Sequence, residues 1–111
     1  MLIADRILTA QLRNSAKQVP ISIYAPRFAD GMNICEYVIG WPEGERRSFG
    51  AGVDSVQALH SALLSIGIEL YASAYHKSGI LSWEKSGEGY GFPVPKNARE
   101  LLVGNDKVFD G

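Results

Sequence analysis

Residues 54–76 constrain the fold more than any other segment, because they read as one helix that is apolar around most of its circumference. Asp54 suits the N-cap position, and Gln57 completes the pattern of a capping box. Two apolar stripes follow at helical spacing: Val56, Leu59, Leu63, Ile66, Leu70 and Ala74 in one, and Leu64, Ile68, Tyr71 and Tyr75 in the other. Such a helix needs cover on both sides. We therefore predict a sheet on one side and either the C-terminal third or a partner subunit on the other.

The residues before this helix alternate between apolar and polar side chains, the period of two that buries one face of a strand. The predicted strands cover residues 6–12, 19–25, 34–41 and 46–51. Pro20 and Pro26 lack a backbone N–H, so their strand is expected at a sheet edge or to end near both prolines. Asp30 and Gly31 are the kind of pair that closes a tight turn between strands.

The C-terminal third has enough apolar side chains to cover the second side of the helix. Residues 80–84 read as a fifth short strand, residues 87–95 as an ordered Gly- and Pro-rich loop, and residues 97–103 as a short helix. The predicted fold class is therefore α+β: an antiparallel meander of four to five strands packed against one long helix, with a wrapped C-terminal loop and short helix. A chain of 111 residues has room for a single domain, residues 1–111.

The composition is typical of a soluble globular protein, with 46% hydrophobic and 21% charged residues, and it excludes a coiled coil. A net charge of −1 supplies no field that attracts phosphates, which argues against nucleic acid as a partner. No apolar run reaches the roughly 18–20 residues of a membrane helix. Asp5 and Arg6 stand where the apolar stretch of a signal peptide would begin. We therefore expect a cytoplasmic protein with no membrane partner.

Motifs for catalysis, metals or cofactors are absent from the sequence. Cys35 is the single cysteine, which excludes an internal disulfide and a multi-cysteine metal cage. His60 and His76 lie sixteen residues apart, so they are not the i, i+4 pair that binds a metal on one helical face. The sequence contains no Gly-x-Ser-x-Gly elbow and no pair of carboxylates that indicates acid–base catalysis. We predict no catalytic residue, no metal ligand and no cofactor, and we favour a non-enzymatic role.

Two glycine-containing segments have both a binding and a structural interpretation. Gly50 and Gly52 lead from a strand into a helix N-terminus, which can bind phosphate, but a third glycine is missing and Asp54 would repel an anion. A tight turn is the favoured interpretation there. In residues 87–95, Tyr90 and Phe92 either stack on a ligand or pack back onto the helix, and packing is favoured.

The candidate binding residues combine the polar strip of the helix with aromatic side chains of the types enriched at interfaces. They are Glu69, Tyr71, His76, Lys77, Trp83, Tyr90 and Phe92. Glu69 and His76 share one narrow strip of the predicted helix. A solvated helix face explains that strip as well as a binding site does.

Three segments of the second half carry a resemblance to a known family. They are residues 54–59 (Asp-Ser-Val-Gln-Ala-Leu), 67–73 (Gly-Ile-Glu-Leu-Tyr-Ala-Ser) and 89–95 (Gly-Tyr-Gly-Phe-Pro-Val-Pro), with His76, Lys77 and Trp83 between them. The chain resembles a family of small bacterial proteins that is known only as a domain of unknown function. The resemblance implies a bacterial cytosolic protein and no catalytic residues.

The sequence leaves two functions open. The favoured one is a small non-enzymatic binding or interaction module, of an immunity or regulatory type, whose partner is another protein or a second copy in a homodimer. The alternative is a small-molecule or enzymatic site between Glu69, His76 and the loop of residues 87–95. The orientation of Tyr90 and Phe92 discriminates between them, because inward packing favours the interaction module and a lined cavity favours the ligand site.

Overall fold

A computed structural model describes residues 1–85 and 87–95 of the chain. This part contains six strands and two helices: β1 (Leu2–Gln11), β2 (Ala16–Tyr24), β3 (Arg27–Ala29), β4 (Met32–Trp41), β5 (Gly44–Gly52), α1 (Ser55–Ala72), α2 (Ala74–Lys77) and β6 (Leu81–Ser82). The helix predicted over residues 97–103 lies outside the described residues. None of the described helices is long and apolar enough to cross a membrane.

The strands form one antiparallel sheet, and α1 packs on one of its faces. β4 pairs with three other strands. β5 pairs along one edge of β4, while β3 and β2 pair with different parts of its other edge. β1 follows β2, and β6 pairs with the end of β1. The predicted α+β fold, an antiparallel meander against one long helix, is therefore confirmed.

β2 is a central strand that runs through Pro20, which corrects the prediction that it lies at an edge or ends near both prolines; only its end at Tyr24 lies near one of them, Pro26. Pro20 pairs with Ile7 of β1 across a complete ladder. On the other side, the ladder to β4 covers only Ile21 to Ile23 and begins just after the proline. Pro26 lies in the short gap between β2 and β3. The missing N–H groups therefore fall where pairing with β4 is interrupted, so the sheet loses few hydrogen bonds.

The turn predicted at Asp30 and Gly31 is present, but β3 directly before it was not predicted as a strand. Both residues have positive φ, 52° and 84°, as a two-residue hairpin turn of type I′ requires. The turn joins β3 to β4 and brings Ala29 opposite Met32.

Small side chains, not the predicted large ones, form the sheet-facing side of α1 at its N-terminal end. Ala58 and Ala62 are fully buried, whereas Val56 of the predicted stripe is 74% exposed. The cause is the close approach of the helix to β5, since a Cβ added to Gly50 would lie 2.1 Å from the backbone nitrogen of Ala62. Only glycine in the strand and alanine in the helix allow this spacing. Gly50 and Gly52 therefore do not form the predicted tight turn: both lie within β5, neither has a positive φ, and close packing against α1 is the reason for them.

The N-terminus of α1 carries the predicted cap. Asp54 accepts a hydrogen bond from the backbone N–H of Gln57 at 2.8 Å, and the Gln57 side chain accepts one from Val53 N–H at 2.6 Å. The helix ends at Ala72, earlier than the predicted His76, because Ser73 adopts an extended conformation. The Ser73 hydroxyl accepts a hydrogen bond from the backbone N–H of His76 and so caps the N-terminus of α2.

The C-terminal segment covers the second side of α1, as the two apolar stripes require. Tyr90, Phe92 and Val94 are all buried in the same core cluster as the helix. A Cβ on Gly67 would lie 2.0 Å from the carbonyl oxygen of Pro93, so the segment crosses the helix at a glycine. The inward packing of the loop aromatics is thus a feature of the fold.

Candidate functional site

Three of the candidate residues form one aromatic cluster between the helices and the C-terminal segment. The ring centroids of Tyr71 and His76 lie 4.7 Å apart, and those of Tyr71 and Tyr90 lie 5.1 Å apart. His76 Nδ1 is 2.5 Å from the Tyr90 hydroxyl. Burial lowers the pKa of His76 below 6.5, which favours the neutral imidazole as the acceptor of that hydroxyl. The ring contacts of Tyr71 and the hydrogen bond between His76 and Tyr90 therefore hold the wrapped segment against the helices.

Trp83 and Phe92 flank a cation that the sequence reasoning missed. The guanidinium of Arg6 lies 3.9 Å from the ring centre of Trp83 and 5.1 Å from that of Phe92. Its Nη1 also donates to the backbone oxygen of Tyr90 at 3.0 Å. The available signal was the position of Arg6 in β1, two residues before the buried Leu8, which places it on the helix-facing side.

Glu69 joins α1 to the sheet. Its Oε2 accepts from the Tyr37 hydroxyl and its Oε1 from Arg46 Nε at 2.9 Å. Burial, and then the hydrogen bond to Glu69, raise the pKa of Tyr37 to about 12, so this hydroxyl stays protonated and donates. The sequence placed Glu69 and His76 on one strip of a single helix. In the structure they have different partners, because the chain breaks at Ser73 and the two side chains belong to different helices.

A cleft of about 290 Å³ opens beside Glu69. Its walls are Trp41, Glu43, Glu69, Ala72, Ser73, Ala74 and Tyr75. Trp41 and Tyr75 stack nearly parallel, with centroids 5.2 Å apart, and the Tyr75 hydroxyl donates to Glu43 Oε1 at 2.5 Å. The loop of residues 87–95 contributes nothing to this cleft. It borders another cleft of about 240 Å³ beside Arg6, Leu63 and Phe92.

The other singled-out residues lie apart from these clusters. Lys77 is exposed on α2, and His60 is exposed on α1. Cys35 is buried, donates to the Tyr24 carbonyl at 3.3 Å, and has a pKa raised by burial, all of which describe an unreactive thiol. In residues 1–85 and 87–95, no three potential metal-ligating side chains come together.

The sheet has a second face that no described element covers, and we call it the open face. It is formed by alternate residues of four strands: Asp5, Ile7, Pro20, Ser22, Tyr24, Ile34, Glu36, Val38, Arg47 and Phe49. Val38 at its centre is only 6% exposed although it is outside the core cluster under the helix. Ile7 and Phe49 are 49% and 53% exposed. Sequence reasoning missed this face because it weighed only the helix for unpartnered apolar surface.

The model of one protein family matches residues 4–94, from within β1 through both helices and β6 to Val94 of the wrapped segment. That family is a domain of unknown function, DUF6968. The chain belongs to the DUF6968 family. The resemblance seen in the sequence is thereby confirmed as membership of an uncharacterised family. No curated protein and no solved structure matches the chain.

Proposed function

We propose that this DUF6968 domain is a non-enzymatic interaction module that self-associates, with the open face of one copy packed on the open face of a second. The observation that carries the proposal is that Ile7 and Phe49, at opposite corners of the open face, are half exposed, with the almost buried Val38 between them. Large apolar side chains gathered on one face of a soluble domain mark an interaction surface.

The aromatic residues favoured from the sequence are not available to a partner on the helix side of the sheet. Tyr71, Tyr90 and Phe92, the aromatic residues favoured from the sequence, are at most 5% exposed. Their inward packing supports an interaction module over a ligand site at the loop of residues 87–95. It also removes them from any surface that a partner could reach, so we place the interface on the open face, which no described element covers.

The charges of the open face favour a second copy as the occupant. One row across the sheet runs Asp5, Ser22, Val38 and Arg47, each paired with the next. The acid and the base therefore stand at opposite ends, with small or apolar residues between them. A two-fold axis between two stacked sheets, parallel to the strands, places Asp5 of each copy opposite Arg47 of the other. The face is thus complementary to itself in charge.

The remaining features of the face fit an interface in which an apolar centre has a polar rim. Arg27 pairs with Glu36 at 3.0 Å, and the Arg47 guanidinium lies 5.9 Å from the ring centre of Tyr24. Four strands of nine or ten residues give the face a projected area of roughly 500 Å², comparable with the ~800 Å² that each partner of a standard interface buries.

Light scattering after size exclusion, over a wide range of protein concentration, tests the proposal. We expect a mass of twice 12.1 kDa and its loss in Phe49→Asp, which places a charge in the apolar area. Val56→Asp is the matched control, because Val56 is more exposed but lies in the first helical turn, where an acidic residue is favourable. Circular dichroism establishes that both variants fold, and Arg47→Ala, which keeps the apolar side chains, should also weaken the dimer. A mass of 12.1 kDa at every concentration contradicts self-association.

A further inference from the structure

We propose that the cleft walled by Trp41 and Tyr75 binds the guanidinium group of an arginine side chain presented by a polypeptide. The inference is independent of self-association through the open face. Trp41 lies on the same face of β4 as Ile39 and Tyr37, which face the helix, so the cleft is on the side of the sheet opposite the open face.

The aromatic wall of the cleft is a stack of two rings, each of which keeps one face that the other does not cover. Trp41 and Tyr75 stack with an interplanar angle of 6°, and both rings are partly buried against the core. The hydrogen bond of Tyr75 to Glu43 holds one oxygen of this exposed carboxylate beside the stacked rings. A planar cation that stacks on an indole and hydrogen-bonds to a carboxylate fits that arrangement, and guanidinium is such a cation.

The charge of the cleft also favours a cation. Glu43 and Glu69 both line it, and none of its described lining residues is basic. α1 ends in the wall at Ala72, so the negative end of the helix dipole adds to the two carboxylates. Arg46 pairs with Glu69 Oε1 but lies outside the lining, with its side chain more than half exposed.

Glu43 is the carboxylate with capacity for a ligand. Both oxygens of Glu69 already accept, one from Tyr37 and one from Arg46. Glu43 accepts from Tyr75 through Oε1, and within residues 1–85 and 87–95 its Oε2 has no hydrogen-bond donor. An N–H of the incoming guanidinium can therefore bond to Glu43 Oε2 without displacing an existing partner.

Nuclear magnetic resonance of the full chain tests this site through its indole N–H signals, since the sequence has two tryptophans. The signal of Trp41 is assigned as the one that persists in Trp83→Phe. The probe is N-acetyl-arginine amide, and its neutral isostere N-acetyl-citrulline amide is the control. We expect a saturable shift of the Trp41 signal with a dissociation constant of about 1 mM or tighter for the arginine probe. The citrulline probe should give no saturable shift.

Two variants locate the binding. Glu43→Gln keeps an acceptor for Tyr75 but removes the charge, so it should weaken the arginine probe about tenfold or more. Glu88→Gln removes an exposed carboxylate outside this cleft and should leave the titration unchanged. Equal shifts from arginine and citrulline, no shift at millimolar concentration, or an unchanged titration in Glu43→Gln would each overturn the assignment. N-acetyl-lysine amide that binds as tightly as arginine would overturn the preference for guanidinium.

Discussion

The imidazole Nδ1 of His76 lies 2.5 Å from the hydroxyl of Tyr90 and joins α2 to the wrapped C-terminal segment. The neutral imidazole accepts from the hydroxyl through Nδ1, which places its proton on Nε2. Protonation would turn Nδ1 into a donor and place a charge among Tyr71, Tyr90 and the core. The contact therefore makes the stability of the domain depend on pH.

We predict that the free energy of unfolding falls as the pH falls below about 6.5. Burial lowers the folded-state pKa of His76 below that ordinary value, so between the two pKa values the unfolded chain binds the proton more tightly. The contribution is therefore complete above pH 6.5 and is lost as the pH falls through the folded-state pKa. Urea unfolding at a series of pH values measures it.

His76→Asn separates this effect from the general loss of stability in acid. Asparagine supplies an acceptor for Tyr90 but does not titrate, so the slope between pH 5 and 7 should flatten. His60→Asn changes an exposed histidine of α1 and should keep the slope. A slope that survives unchanged in His76→Asn would rule out the assigned role of the contact.

A second prediction concerns the hydrogen bond that Tyr37 of β4 donates to Glu69 of α1. Tyr37→Phe leaves the partly buried Glu69 without its hydroxyl donor and should cost about 1–3 kcal/mol of unfolding free energy. Arg46→Ala removes the more exposed partner of the same carboxylate and should cost about 1 kcal/mol or less. Chemical denaturation of both variants compares the two costs. An Arg46→Ala cost equal to or larger than that of Tyr37→Phe would contradict the account.

A third prediction tests the close approach of α1 to β5. Gly50→Ala places a methyl group against the helix backbone, which cannot rotate away, so it should cost about 3 kcal/mol or more. Glu45→Ala, an exposed change on the same strand, should stay within about 0.5 kcal/mol of the parent. Thermal unfolding distinguishes them, and a Gly50→Ala protein as stable as the parent would show that the helix can move off the strand.

The sequence correctly predicted the elements that are determined by residues close to one another along the chain. The alternation of residues 34–41 and the Asp30–Gly31 pair predicted β4 and its turn, and the Asp54 cap predicted the start of α1. Each depends on residues within a few positions along the chain, where propensity and capping act. The end of α1 was missed because Ser73 begins a second helix where the apolar spacing continues unbroken.

The contacts that define the candidate sites come from distant parts of the chain. Glu69 reaches Tyr37, 32 residues away, and Arg6 reaches Tyr90, 84 residues away. The burial of Ala58 in place of Val56 depends on the opposing glycines of β5, which a helical projection does not contain. The open face could not be predicted either, because the sequence does not show how the strands are ordered in the sheet or which face of the sheet stays uncovered.

A charge reversal across the open face tests self-association most directly. Asp5→Arg and Arg47→Asp should each weaken the dimer about tenfold or more, because like charges then meet across the two-fold axis. The double variant, Asp5→Arg with Arg47→Asp, restores opposite charges at both ends of the row and should dimerise within about threefold of the parent. Light scattering over a dilution series measures all four proteins. Single variants that dimerise as the parent does, or a double variant no tighter than the singles, would contradict the open face as the interface.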